Sequence, residues 1–181
     1  GRGCIAGPVV ASAVIMPKGC HIEGGMDSKK LSDKKRRILK EQIEAKAIAY
    51  ATVFVSEKKI DEINILNASK LAMEKAIQSL SVKPDFVLID AVKLNLDIPS
   101  ESIIKGDDLC FAISCASILA KVTRDDFMIN LDREFPDYGF AQNKGYPTKK
   151  HLNALNNEGI LDIHRKSYAP VQRIAAIHLK K

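Results

Sequence analysis

Short apolar runs alternate along this chain with segments of helical periodicity, and that alternation limits the architecture more than any other feature. The runs are PVVASAVIMP, AIAYATVFV and DFVLID. Each has strand length and is bounded by turn-forming or polar residues. Between the first two, Ser32 reads as the N-cap of DKKRRILKEQIEAKA, where Ile38, Ile43 and Ala47 form one apolar stripe. Between the second and third, Ser56 opens an acidic-first helical segment. NASKLAMEKAIQSL then carries Leu71, Ala72, Ala76 and Leu80 at helical spacing, ended by Pro84. Strands that alternate with helices imply an α/β layered domain. The pattern leaves parallel and antiparallel pairing open.

Beyond DFVLID the sequence reads as a polar loop, then SIIKGDD, then one long helix from Leu109 to Phe135 closed by Pro136. DYGFAQNKGYPTKK reads as loop, and two short helical segments follow, around KKHLNALNNEG and APVQRIAAIHLKK. With 181 residues and no repeat or low-complexity linker, the expectation is a single domain over 1–181 with a sizeable core.

Charge narrows the partners. Lys and Arg number 28 against 22 Asp and Glu, a formal charge of +6 that tilts toward a polyanion such as nucleic acid. No apolar run is long enough to span a bilayer. Cys4, Cys20, Cys110 and Cys115 fit no zinc spacing and read as reduced, mostly buried thiols of a cytoplasmic protein.

The chemistry-bearing candidates are carboxylates. Asp90 ends FVLID, and the crevice beyond strand carboxyl ends is where open α/β sheets bind ligands. Asp107 and Asp108 precede the long helix; one of them facing Asp90 would make a pair suited to a hard cation, against the alternative of a simple helix cap. Asp125 and Asp126 sit within a helical pattern beside Arg124, where an ion pair or a solvated face outweighs a metal ligand. Gly1, Arg2 and Gly3 offer close backbone approach to a phosphate with a guanidinium alongside. Lys29 and Lys30 are candidate phosphate contacts, and Tyr146, between Lys144 and Lys149, could stack on a base or sugar or pack on the core. His151 and His164 show no metal-ligand spacing to each other.

Eight segments in order, GRGCIAGPVVASAVI, DSKKLS, IDEINILNAS with LAMEKAI, FVLIDA, IIKGDD, ISCASILAKVTRDDFM, FPDYGFAQNKGYPTKKH and IHRKSYAP, resemble the bacterial ribonuclease HII family nearly end to end. The resemblance implies a ribonuclease H-like mixed β-sheet flanked by helices, with C-terminal helices. It implies an endonuclease that cuts RNA in RNA–DNA hybrids and nicks duplex DNA 5′ of a single embedded ribonucleotide, using Mg²⁺ or Mn²⁺. Asp90 and Asp107 match two of the family's four metal-binding carboxylates, and Asp125 matches an aspartate near the site. Gly1, Arg2 and Gly3 match the loop that reads the 2′-hydroxyl, Tyr146 the tyrosine that stacks on the following sugar, and Lys29 and Lys30 a phosphate-contacting segment. A monomer that binds hybrid and ribonucleotide-containing duplexes, away from membranes, is the corresponding expectation.

In the family an Asp-Glu pair stands just ahead of the Gly-Arg-Gly loop, and this sequence starts after that position. Two carboxylates hold two dications poorly. The competing expectation is therefore a catalytically incomplete hybrid-binding chain, separated from the first by whether Asp-Glu precedes Gly1 in the expressed protein. A related type 3 enzyme of the same fold is the third reading.

Overall fold

The computed structural model describes residues 1–24 and 31–178. Lys29 and Lys30 lie outside the described residues. The backbone forms two compact units, one of Val10–Val53 and Lys70–Thr123, the other of Gly1–Val9, Phe54–Ser69 and Arg124–Lys181. They are called here the strand unit and the loop unit.

In chain order the elements are β1 (Val9–Ile15), α1 (Asp33–Lys46), β2 (Ala49–Val55), α2 (Glu57–Gln78), β3 (Val87–Asp90), β4 (Ser100–Ile103), α3 (Gly106–Leu109), α4 (Phe111–Glu134), a 3₁₀ turn (Pro136–Tyr138), α5 (Phe140–Asn143), α6 (Lys149–Glu158) and α7 (Ala169–His178). The α/β alternation is as expected. The described strands form two pairs, β1 with β2 and β3 with β4.

In the strand unit, Ser12 and Thr52 join their hydroxyls at 2.7 Å across β1 and β2. Ser32 caps α1 as expected, its Oγ accepting the Lys35 N–H at 3.3 Å. The helix buries Leu39 and Ile43, while Ile38 is exposed. Ile43 is buried as expected, and Leu39 takes the place expected for Ile38, because Leu39 and Ile43 are the i,i+4 pair that meets Ile22 and the α4 residues Cys115, Ile118, Leu119 and Val122. Each such fully buried aliphatic side chain contributes about 1.5–3 kcal/mol relative to exposure.

β4 was not expected from its sequence. It runs parallel to β3, with Val87 opposite Ser100 and Asp90 opposite Ile103. SESI has no apolar alternation to announce a strand; the neighbouring backbone supplies the order through Val87 N–H to Pro99 O and Ala91 N–H to Ile103 O, both 2.9 Å. The long helix also begins later than the periodicity predicts. Cys110 is extended, closes α3 through its N–H to Gly106 O, and lies outside α4.

α2 is kinked at Asn64, whose φ is 67°. Its Oδ1 accepts the Asn67 N–H at 3.0 Å, so the kink acts as an N-cap for the second half. The two helical segments read from the sequence are therefore one element with an internal restart. In the loop unit, Phe140, Met128, Tyr138 and Ala154 form one core with Ala6. Ile5, Leu155, Val171 and Ile174 form another. The stretch expected as loop between α4 and α6 carries the 3₁₀ turn and α5.

Candidate functional site

In the strand unit Asp90 and Asp107 flank one turn. Asp90 ends β3, and its Oδ1 accepts the backbone N–H of Gly106 at 3.0 Å. Asp107 follows directly in the first turn of α3 and is 4% exposed. Gly106 thus links the two candidates through the backbone: it bonds the Asp90 carboxylate and immediately precedes Asp107 in the chain. Two non-glycine residues flank this turn in left-handed conformation, Ala91 (φ 60°) and Lys105 (φ 56°). Such backbone costs about 1 kcal/mol per residue or more and is retained where surrounding structure dictates it. Gly106 is closely packed: a Cβ there would lie 2.6 Å from Ile113 Cδ1, so that side chain would have to shift, and 3.5 Å from Asp90 Cα. Asp108 Oδ1 is buried with no hydrogen-bond partner among the described residues.

These groups suit a divalent metal. The donors are hard carboxylate oxygens, one in a buried residue and one oriented by a backbone N–H, and Mg²⁺ takes one or two carboxylates with water and phosphate oxygens completing its shell. Among the described residues, no three His, Cys, Asp or Glu side chains gather as a metal site.

In the loop unit, the Gly1–Gly3 turn is exposed and rests on two buried arginines. Arg165, fully buried, donates from Nε to Gly7 O (2.9 Å) and from Nη1 to Arg2 O (3.0 Å) and Tyr168 Oη (3.0 Å). Tyr168 Oη also donates to Arg2 O at 2.8 Å. Arg124, 3% exposed, donates to Pro8 O, Ala6 O and Lys144 O at 3.0, 3.0 and 2.8 Å. Its aliphatic stem and Nε lie against Gly1, where a Cβ would come within 2.4 Å of Nε. Both guanidiniums serve several backbone carbonyls at once, which suits a planar fork of donors better than the compact ammonium of a lysine. Burial pulls Arg124 below its ordinary pKa. Burial likewise raises Glu57, against the opposing pull of Arg165 and Arg124.

Tyr146 stands beside this turn. Its ring edge is 3.7 Å from where a Gly3 Cβ would be, and the residue is 44% exposed. It is neither the free aromatic nor the core residue of the two sequence alternatives; one side packs and the other is open. Burial first, then Cys4, pushes the phenol above its usual range, so it is a neutral hydroxyl at physiological pH. Gly145 sets the approach: its φ is +87°, and a Cβ would meet Ala6 O at 2.4 Å. Ile5 N–H closes the same contact by donating to Gly145 O at 2.8 Å.

The family model for ribonuclease HII matches residues 1–171. This chain belongs to the ribonuclease HII family. It is 52% identical to the ribonuclease HII of Desulfitobacterium hafniense over 174 residues, covering 96% of this chain and 67% of that protein. It is 54% identical to that of Bacillus cereus over 172 residues, covering 95% of this chain and 67% of that protein. The crystal structure of ribonuclease H2 from Pyrococcus horikoshii aligns with a TM-score of 0.86 at 26% identity, over 100% of this chain and 96% of that one. The ribonuclease HII of Archaeoglobus fulgidus, solved as a complex with PCNA, shares the fold, with a TM-score of 0.78 at 24% identity over 96% of this chain and 92% of that one. The family are divalent-metal-dependent endonucleases acting on RNA in hybrids and on embedded ribonucleotides. No helix among the described residues is long and apolar enough to cross a membrane.

Of the candidates expected from sequence, Asp90 and Asp107 lie at one turn of the strand unit, and Gly1–Gly3 and Tyr146 lie side by side in the loop unit. Of the two expectations for Arg124 and Asp125, an ion pair or a solvated face, the solvated face is excluded: both residues are buried, at 3% and 2% exposure, and Asp125 acts electrostatically on Arg124. Arg165 and the two histidines were not singled out for a role. Their signal in sequence was faint: an Arg and a His adjacent in IHRKSYAP, with no periodicity to say they point inward.

Proposed function

We propose that this chain hydrolyses the RNA strand of RNA–DNA hybrids and nicks duplex DNA on the 5′ side of a single embedded ribonucleotide. The carrying observation is the turn in which Gly106 N–H holds Asp90 Oδ1 with buried Asp107 next in the chain. Asp90 and Asp107 would hold Mg²⁺ or Mn²⁺. Such a cation, when bound, neutralises charge at the scissile phosphate and acidifies water. The net reaction adds a water oxygen to phosphorus and breaks the P–O3′ bond, leaving a 3′-hydroxyl and a 5′-phosphate.

The remaining residues supply recognition. Gly1 and Gly3, lacking side chains, let backbone approach the 2′-hydroxyl that separates RNA from DNA. Arg165 and Tyr168 take up the Arg2 carbonyl, which fixes the backbone at Arg2 while that residue stays exposed for a phosphate. Tyr146 stacks on the sugar beyond the ribonucleotide with its open side. Asp125 is a supporting residue of the loop unit, and Lys29 and Lys30 contact phosphate. The chain acts as a single ribonuclease H-like domain, a monomer in the cytoplasm.

The test is cleavage of a DNA duplex carrying one ribonucleotide, with Mn²⁺ or Mg²⁺ supplied. A nick 5′ to the ribonucleotide, lost in Asp90→Asn, supports the reading. Tight duplex binding with no nick would make this chain a hybrid-binding protein instead.

A further inference from the structure

Two fully buried histidines from different segments meet behind Tyr146. His151 Nδ1 lies 2.9 Å from Tyr146 O, and His151 Nε2 lies 3.0 Å from His164 Nε2. His164 Nδ1 accepts the Leu161 N–H at 2.9 Å. These contacts leave one consistent proton arrangement. A carbonyl can only accept, so His151 Nδ1 carries hydrogen and its Nε2 is a lone pair. A backbone N–H can only donate, so His164 Nδ1 is a lone pair and its Nε2 carries the hydrogen. The two ends, assigned independently, agree at the middle: His164 Nε2–H donates to His151 Nε2. Adding a proton to either ring would set two N–H groups head to head at 3.0 Å or strip Leu161 of its acceptor.

We propose that His164 and His151 are positioning residues for Tyr146, a directional pair of neutral imidazoles that fixes the Tyr146 backbone and so sets the angle at which its ring meets the substrate sugar. This rests on the stacking role of Tyr146 argued above. The surroundings favour a fixed orientation. Tyr138 and Phe140 pack against both rings, with centroids 5.3–6.5 Å away. Thr148 N–H donates to the same Tyr146 carbonyl at 2.8 Å, so that oxygen is doubly held. Tyr146 N–H donates to Asn143 O at 2.9 Å, and Gly145 N–H to Asn143 Oδ1 at 2.8 Å. The residue is thereby anchored at both ends of its peptide, while its ring keeps one open side. Burial lowers both histidines, in keeping with the neutral forms that the contacts require.

The experiment has two arms on the intact chain. Nitrogen-15 NMR of histidine-labelled protein reads the tautomers directly. His151 as Nδ1–H and His164 as Nε2–H is the expected result; any other assignment, or an imidazolium at neutral pH, overturns the relay. The second arm compares kcat/KM on a single-ribonucleotide duplex with that on an all-RNA strand in a hybrid. His151→Ala should lower the first by about tenfold and the second by less, a change equivalent to one lost hydrogen bond of about 1.4 kcal/mol. His151→Asn, whose amide N–H falls near the Nδ1 position, should recover most of the ratio. Equal losses on both substrates for His151→Ala, with no recovery by Asn, would make the pair merely structural. Tyr146→Ala is the reference: if it fails to shift the ratio, the stacking role falls while the tautomer result stands alone. If it shifts the ratio and the His151 variants do not, the positioning role falls.

Discussion

Gly106 N–H and Asp90 Oδ1, 3.0 Å apart, tie the end of β3 to the start of α3 and bring Asp107 alongside. The bond orients one carboxylate through a backbone donor, which a side-chain substitution cannot remove. Asp90→Asn keeps an oxygen to accept that bond and removes only the negative charge. Its thermal melting should stay near that of the parent, while Mn²⁺ affinity falls and cleavage drops by roughly a hundredfold or more, about 3 kcal/mol of barrier. Full turnover by the variant would remove Asp90 from the metal site.

Gly106→Ala tests the packing of the same turn. The new methyl group would meet Ile113 Cδ1 at 2.6 Å, the movable end of a side chain only 7% exposed. We expect a stability loss of about 1–2 kcal/mol by urea denaturation, with a larger fractional loss of cleavage. Unchanged activity would show that the approach of Gly106 to Asp90 is looser than drawn.

Gly145→Ala should cost more. Its methyl group would strike the Ala6 carbonyl oxygen at 2.4 Å, and the φ of +87° disfavours any L side chain. A loss of about 2–4 kcal/mol is expected in equilibrium unfolding, because the obstacle is backbone and cannot rotate away. A loss under about 1 kcal/mol would contradict the close contact.

Arg165→Lys retains charge and loses geometry. One ammonium cannot reach Gly7 O, Arg2 O and Tyr168 Oη together, as the guanidinium does. About 2–4 kcal/mol of stability should be lost, with the buried carbonyls left short of donors. Retained stability with intact substrate discrimination would show the Arg2 carbonyl to be held adequately by Tyr168.

Acid should destabilise the chain through His164. Its pKa is lowered by burial and by His151 to about 4 from 6.5. The unfolded chain therefore takes up a proton first as pH falls, so the stabilising contribution is complete above about 6.5 and lost progressively down to about 4. The groups around the ring are His151, Tyr138 and Phe140, and none supplies a carboxylate to offset a charge. Unfolding free energy should fall by on the order of 3 kcal/mol across that window from this group. His164→Asn should flatten that part of the profile; an unchanged slope would assign it elsewhere.

The alternation of short apolar runs with 3.6-period segments was enough to place the α/β class and the Ser32 cap, since those depend on neighbours a few residues apart. β4 escaped because SESI becomes a strand only by pairing with β3. Ile38 was misread as part of the buried stripe because helix periodicity alone leaves a rotation of about 100° per residue to be chosen by whatever packs against it. Asp90, Asp107, Tyr146 and the Gly1–Gly3 loop were legible as residue types in a specific order.

Residue order and type suffice for the family, the kinds of groups available for chemistry and the local caps and turns. The inward turn of Arg124 and Arg165 onto backbone carbonyls, and the meeting of His151 and His164 at 3.0 Å, emerge with the packed fold. The reason is physical: burial and tautomer are properties of surroundings assembled from distant segments. Arg165 Nη1 reaches a carbonyl 163 positions away in the chain, and no periodicity encodes that distance.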